Sequence, residues 1–303
     1  MSFSGLHEGS SHRKLDRFLA NFVQHIYDSG GTKVLAKLAL LSAQRKCVAF
    51  GRLPIAWRCL STWHLEDPPR HRAPLPRSIL EAMVLVARAW ALGCTGQAAY
   101  TWWSVAVALL LGFVTLLRPG ELLGLTKDRV ILPAQLVGTA TEPAVVVLVN
   151  PKNKRFMGAT QFALVEELSA IRWLAWWTDR LGPHAKLFWL SRNELAECMR
   201  QLLRFLGCEA LRFTPGSLRA GGATAHYMLY RDLGRLQYHG RWRSPQTLAC
   251  YLQEAVAAAA WSTVPPAARV LIADCRRLFA ATAAPPAMPA PRVTKPKRRQ
   301  RKR

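Results

Sequence analysis

Two arginines and a tyrosine carry the most chemical information in this chain. Arg118 ends a long apolar run and is followed by Pro119, Gly120 and Glu121. Arg219 opens a stretch of small residues, Ala220-Gly221-Gly222-Ala223-Thr224. Tyr251 lies nine residues beyond Trp242, in the segment that begins Gly240-Arg241-Trp242. Singly, each has a structural reading: Arg118 as a cation on helix-end carbonyls, Arg219 as an ordinary capping cation, Trp242 as a core aromatic. Together, their types suit phosphoryl chemistry. A phosphodiester attacked by a phenol passes through a pentacoordinate state whose nonbridging oxygens gain negative charge. Two guanidiniums stabilise those oxygens with forked, permanently charged donors. Tyrosine, with a solution pKa of about 10, must lose its proton as it attacks, which calls for an electropositive pocket rather than a metal.

The segment Gly112-Phe113-Val114-Thr115-Leu116-Leu117-Arg118-Pro119-Gly120-Glu121-Leu122-Leu123-Gly124-Leu125 resembles the first arginine motif of the tyrosine recombinases, the phage integrase family. Ser217-Leu218-Arg219-Ala220-Gly221-Gly222-Ala223-Thr224 resembles the second. The step from Trp242 to Tyr251 is similar to the family's separation between its His or Trp position and its nucleophilic tyrosine. The Leu-Arg-Ala-Gly-Gly-Ala-Thr and Gly-Arg-Trp wording most resembles integrases of eukaryotic mobile elements. The resemblance spans residues 77–262, and residues 14–64 look like a shortened helical domain that clasps DNA.

This resemblance implies an enzyme that breaks and rejoins double-stranded DNA through a 3′-phosphotyrosine at Tyr251, with no cofactor and no metal. Because a phosphotyrosine keeps the energy of the broken linkage, a DNA hydroxyl reverses the step without ATP. Arg118 and Arg219 would hold the scissile phosphate, and Trp242 would donate its indole N–H to it. In the family a hairpin lysine protonates the leaving 5′ oxygen. Asn150-Pro151-Lys152-Asn153-Lys154-Arg155 stands where that hairpin is expected, which favours Lys152, with Lys154 the alternative and a phosphate-contacting or solvated turn the competing reading. Exchange between two duplexes implies a homotetramer on DNA, with the helix through residues 255–260 to Trp261 a candidate docking element.

One departure matters. Relatives carry His three residues before the second arginine, and here that position is Gly216. A missing general acid-base group costs a factor of ~10² to ~10⁴. His226 and His239 are nearby in sequence as substitutes, although a helical histidine is more often structural. Two further readings stay open: a catalytically impaired DNA-binding relic of an integrase, and a type IB topoisomerase.

Composition agrees with a polyanionic partner. The net charge is +24, and residues 292–303 hold eight basic side chains and no acid, which leaves +16 on the rest. A body this basic attracts nucleic acid or an anionic membrane over long range. Residues 89–117 carry no charge, but Gly93, Thr95, Gly96 and Gln97 interrupt the run, so a buried core helix is expected and no membrane span. The seven scattered cysteines show no zinc spacing, and no secretory signal pattern opens the chain, so reduced thiols are expected. The terminal Lys/Arg cluster reads as a nuclear import signal, a nonspecific DNA grip or a solvated tail, and the first places the chain in the nucleus.

The elements that must position these residues follow from periodicity. Leu15, Phe18, Leu19, Phe22, Val23, Ile26 and Tyr27 share one face of a helix over 14–28. Helices follow near 32–46, 54–64, 78–92 and 98–117. Residues 144–149 and 160–164 predict a hairpin, and helices then recur at 166–181, 191–206, 217–230 and 245–260. The expected fold is mainly α with a small β hairpin, in which a helical unit over 1–76 precedes a catalytic domain over 77–264. Residues 265–303, rich in Ala, Pro and base, are expected to be disordered.

Overall fold

The computed structural model describes residues 11–46, 52–67, 73–133, 143–179, 181–252, 254–282 and 285. The chain divides into two compact units, Met1–Arg70 and His71–Arg303.

Among the described residues the first unit holds three helices, α1 (Ser11–Asp28), α2 (Lys33–Lys46) and α3 (Pro54–Glu66). Leu15, Leu19, Val23 and Ile26 of α1 are buried with Leu40 of α2 and with Ala56, Leu60 and Trp63 of α3. Helix α3 has no capping side chain of its own at Leu53. Asp16 of α1 supplies one, accepting from the backbone N–H groups of Ile55 and Ala56 at 3.0 and 2.9 Å. An acid there satisfies two otherwise unpaired donors and meets the positive end of the helix dipole, so one residue both caps α3 and fixes its packing on α1.

The second unit is built around α5 (Gly96–Val114), which packs against α4 (Arg77–Leu92) and α8 (Leu168–Thr178). Every residue from Trp103 to Phe113 is buried. Helix α5 is long and apolar enough to cross a bilayer, and core burial accounts for that composition. Indoles of α8 pack on it, with Trp103 and Trp176 ring centroids 5.1 Å apart at 64°. Beyond α5 come α6 (Pro119–Leu123) and a three-stranded antiparallel sheet in the order β1 (Val130–Ile131), β2 (Ala144–Val149), β3 (Thr160–Val165). Pairing runs from Ala144 opposite Val165 to Val149 opposite Thr160. Ala144, Val146 and Leu148 face inward, so the period-two alternation of β2 sets the buried face of the sheet. The short helix α7 (Lys154–Met157) connects β2 and β3. The chain continues as α9 (Arg192–Phe205), α10 (Pro215–Tyr230), α11 (Leu233–Gly240), α12 (Pro245–Ala249), α13 (Glu254–Ser262) and α14 (Pro266–Ala281).

This architecture is mainly helical with a small sheet, as expected, and four local expectations are corrected. The hairpin gains a third strand, Val130–Ile131, too short to show a pattern. The helix expected through residue 117 ends at Val114, and Leu116 turns left-handed at φ 53°. The helix expected over 245–260 is two, and Tyr251 stands in the break between α12 and α13. Residues 266–281, assigned to an unstructured tail, form α14. Its Ala268, Ile272, Cys275 and Phe279 are buried at helical spacing in the same core as α4, enough apolar surface to offset the entropy of ordering. The terminal basic cluster lies outside the described residues.

Candidate active site

Helix α10 presents Arg219 from its second turn. At the helix start Ser217 Oγ accepts from the Thr214 backbone N–H at 3.2 Å, and Pro215 takes the first position. Its Gly221 and Gly222 are there for close approach. A Cβ on Gly221 would sit 2.1 Å from the Leu75 carbonyl oxygen, and one on Gly222 would sit 2.1 Å from that of Phe113. The small-residue stretch therefore lets α10 lie directly on the end of α5, carrying Arg219 to the turn that holds Arg118.

Arg219 is almost fully buried. Its Nη1 donates to the Leu116 carbonyl and its Nη2 to the Gly240 carbonyl at 2.7 Å. Those two carbonyls belong to the turns that carry Arg118 and Trp242, so one guanidinium joins three motifs that lie far apart in sequence. Its Cζ stands 4.4 Å from the ring centroid of Trp242 and 5.5 Å from that of Tyr251. The Trp242 and Tyr251 rings are themselves 5.1 Å apart. Gly240 is required beneath this stack, because a Cβ there would meet the Trp242 ring at 1.6 Å.

Arg118 is half-buried and is held by Glu121, whose Oε1 accepts from Nη1 at 2.6 Å and whose Oε2 accepts from the Arg118 backbone N–H at 3.0 Å. Glu121 also pairs with Arg241 at 3.3 Å. Arg241 is buried, left-handed at φ 56°, and donates to the Thr115 carbonyl at 3.4 Å. Two guanidiniums therefore share one carboxylate, and the third, Arg219, lies within reach of its charge. Burial would raise the Glu121 carboxyl, but the Arg118 N–H bond and the charges of Arg118 and Arg241 outweigh it and hold the group below the ordinary carboxylate value. Burial, then the charges of Arg118 and Arg241, push the Arg219 guanidinium down to about 9. Burial is also the main cause lowering Arg241. Three guanidiniums gathered around one carboxylate leave positive charge in excess. Arg219 Nε, Arg241 Nε and Trp242 Nε1 are buried without an acceptor among the described residues. Unpaired buried donors and uncompensated cations are what a bound oxyanion satisfies.

Tyr251 is half-buried in the turn after α12. Its backbone N–H donates to the Leu248 carbonyl at 2.8 Å, and its own carbonyl accepts from the Thr224 hydroxyl of α10 at 3.2 Å. Lys152 and Lys154 are both exposed in the β2–β3 connection. Asn153, between them, donates to the Arg241 carbonyl at 3.1 Å, and Gln161 donates back to Asn153 at 3.1 Å. That network seats the connection on the Arg241 turn, bringing both lysines to the same neighbourhood. Lys154 Nζ is 3.3 Å from Asn150 Oδ1. Gly216 lies buried in the first turn of α10. His226 and His239 pair with each other, their rings 4.9 Å apart, and His239 Nε2 is bonded to the Val114 carbonyl at 2.9 Å. Sequence reasoning assigned no role to Arg241. Its partner is 120 positions away, and only its place beside Trp242 gave a signal.

No family model matches the sequence, and no curated protein matches it. Solved structures do. The chain is similar to a XerH site-specific recombinase bound to difH substrate in a pre-cleavage complex, at 15% identity and a TM-score of 0.51, over 81% of this chain and 69% of that one. It is similar also to the Tn1549 transposon integrase in complex with transposon right end DNA, at 15% identity and a TM-score of 0.51, over 82% of this chain and 84% of that one. With its helical body and small antiparallel sheet, the chain has the fold of the tyrosine recombinase catalytic domain.

Proposed function

We propose that this chain is a tyrosine recombinase, an enzyme that cuts and rejoins duplex DNA through a 3′-phosphotyrosine at Tyr251. The observation that carries the reading is the gathering of Arg219, Trp242 and Tyr251 within 5.5 Å of one another, beside an arginine cluster with excess positive charge and unpaired buried donors. In this reading Arg118 and Arg219 neutralise the nonbridging oxygens of the scissile phosphate as charge develops on them. Trp242 donates its indole N–H to the same phosphate. The Tyr251 phenol attacks phosphorus and loses its proton, and Lys152, or Lys154 in its place, protonates the leaving 5′ oxygen. Arg241 orients Arg118 through their common carboxylate, Glu121.

Exchange between duplexes requires four protomers, since each site cuts one strand. The +24 charge supports phosphate contacts, and so an affinity for DNA that falls steeply with salt. The Gly-Arg-Trp wording supports a mobile-element integrase, and the terminal Lys/Arg cluster supports import into the nucleus, checked by fusing residues 286–303 to a fluorescent protein.

The direct experiment incubates the protein with nicked suicide DNA. A covalent adduct that is absent from Tyr251→Phe supports the assignment. Gly216 favours a second reading, a DNA-binding relic that has lost turnover. If the native chain forms no adduct and Gly216→His restores one, that second reading holds. Relaxation of supercoiled DNA by a monomer, without strand exchange, would mark a type IB topoisomerase instead.

A further inference from the structure

His226 has two buried ring nitrogens, and neither has a hydrogen-bond partner among the described residues. Buried polar atoms are almost always paired, so such a ring calls for a ligand. It lies between the rings of Tyr230 and His239, at 4.6 and 4.9 Å, nearly parallel to His239 at 19°. His239 Nε2 is 2.9 Å from the Val114 carbonyl oxygen. A carbonyl only accepts, so Nε2 carries the proton and the lone pair of that ring falls on Nδ1. Burial, then the charges of His239 and Arg235, push His226 down to about 4, and burial also lowers His239. The third member is Glu166, exposed just beyond β3. Its oxygens are 3.2 and 3.3 Å from Arg235 Nη2, and the Arg235 guanidinium is seated on the Tyr230 ring at 3.8 Å. One ligand atom from each of Glu166, His226 and His239 lies within 4.8 Å of the other two.

We propose that Glu166, His226 and His239 form a zinc site with solvent in the fourth position. Two imidazole nitrogens and one carboxylate oxygen are the donor set zinc takes in sites with three protein ligands. Bonds of about 2.0–2.1 Å place tetrahedral ligand atoms roughly 3.4 Å apart, so small side-chain rotations close the cluster on the ion. The outer shell is already in place. Val114 fixes the tautomer and ring plane of His239, and Arg235, anchored on Tyr230, orients the carboxylate. The nitrogen donors disfavour calcium and magnesium, which take oxygen ligands, and the absence of sulfur disfavours Cu(I). Arg235 opposes the incoming cation, and the Glu166 charge offsets it.

The site joins the end of β3 to α10 and α11. Helix α10 also carries Arg219, and the residue after His239 is Gly240, whose carbonyl accepts from Arg219. Zinc here clamps the two elements between which that guanidinium is held. The site stands whether or not the chain cuts DNA.

The test uses the full chain, stripped with a chelator and dialysed, then titrated with zinc chloride by calorimetry, with cobalt(II) as a spectroscopic probe. The expected result is one zinc per chain, a raised Tm, and a cobalt spectrum with d–d bands but no thiolate charge transfer, which separates the site from the seven cysteines. Glu166→Ala alters an exposed residue and should weaken binding at least about tenfold, as should His226→Gln. The proposal is overturned if the chain takes up no zinc at one equivalent, if thiolate bands appear, or if both variants, with native circular dichroism, bind zinc as tightly as the unmodified chain.

Discussion

Glu121 and Arg241 form an ion pair across 120 residues of sequence, 3.3 Å apart, while the other oxygen of the same carboxylate holds Arg118 at 2.6 Å. Glu121→Gln removes the negative charge and leaves three guanidiniums to repel one another. Loss of one partner from a largely buried pair costs about 3 kcal/mol. The denaturant midpoint should drop accordingly, and added sulfate should restore part of it by standing in for the missing anion.

The same carboxylate sets a pH dependence. Its value is depressed in the folded chain, so the unfolded chain binds the proton more readily. The stabilisation is complete above the unfolded carboxylate value of about 4.3 and is lost as pH falls through the lower folded value. Denaturant midpoints measured from pH 6 down to pH 3 should fall more steeply for the native chain than for Glu121→Gln.

Gly221→Ala and Gly222→Ala should each destabilise the second unit. Both place a methyl 2.1 Å from a backbone oxygen, of Leu75 and Phe113 respectively, and neither backbone moves freely. Overpacking of this kind costs about 1–3 kcal/mol. Thermal unfolding checks it, and Gly120→Ala, where nothing lies within 4 Å of the added carbon, is the control.

Helix α14 should prove part of the folded body. Ile272 is completely buried in the core it shares with α4, and Ile272→Ala should cost about 2–4 kcal/mol. Truncation after residue 285 should leave the denaturant midpoint unchanged, whereas truncation after residue 264 should lower it sharply.

Much of this was legible in the sequence because it is local. The 3.6-residue spacing of Leu15, Leu19, Val23 and Ile26 marked α1, and the run at 144–149 marked β2. What escaped depends on distant partners. The Ala-rich stretch after Pro245 has helical propensity throughout, yet contacts from Thr224 and Arg219 accompany a break at Tyr251 that propensity does not foresee. The Ala/Pro composition beyond residue 264 hid the spacing of Ala268, Ile272, Cys275 and Phe279. The motifs named Arg118, Arg219, Trp242 and Tyr251, but only the folded chain shows that Arg241 shares a carboxylate with the first of them. Likewise, Asn153 ties the lysine-bearing connection to the Arg241 turn through a contact 88 residues apart.

The most direct measurement is the chemical identity of the protein–DNA linkage. The full chain is trapped on a suicide substrate, digested with trypsin and nuclease, and the nucleotidyl peptide is sequenced by mass spectrometry. The account predicts a 3′-phosphate ester on the phenol of Tyr251. A linkage to another residue, or to a 5′ phosphate, would contradict it.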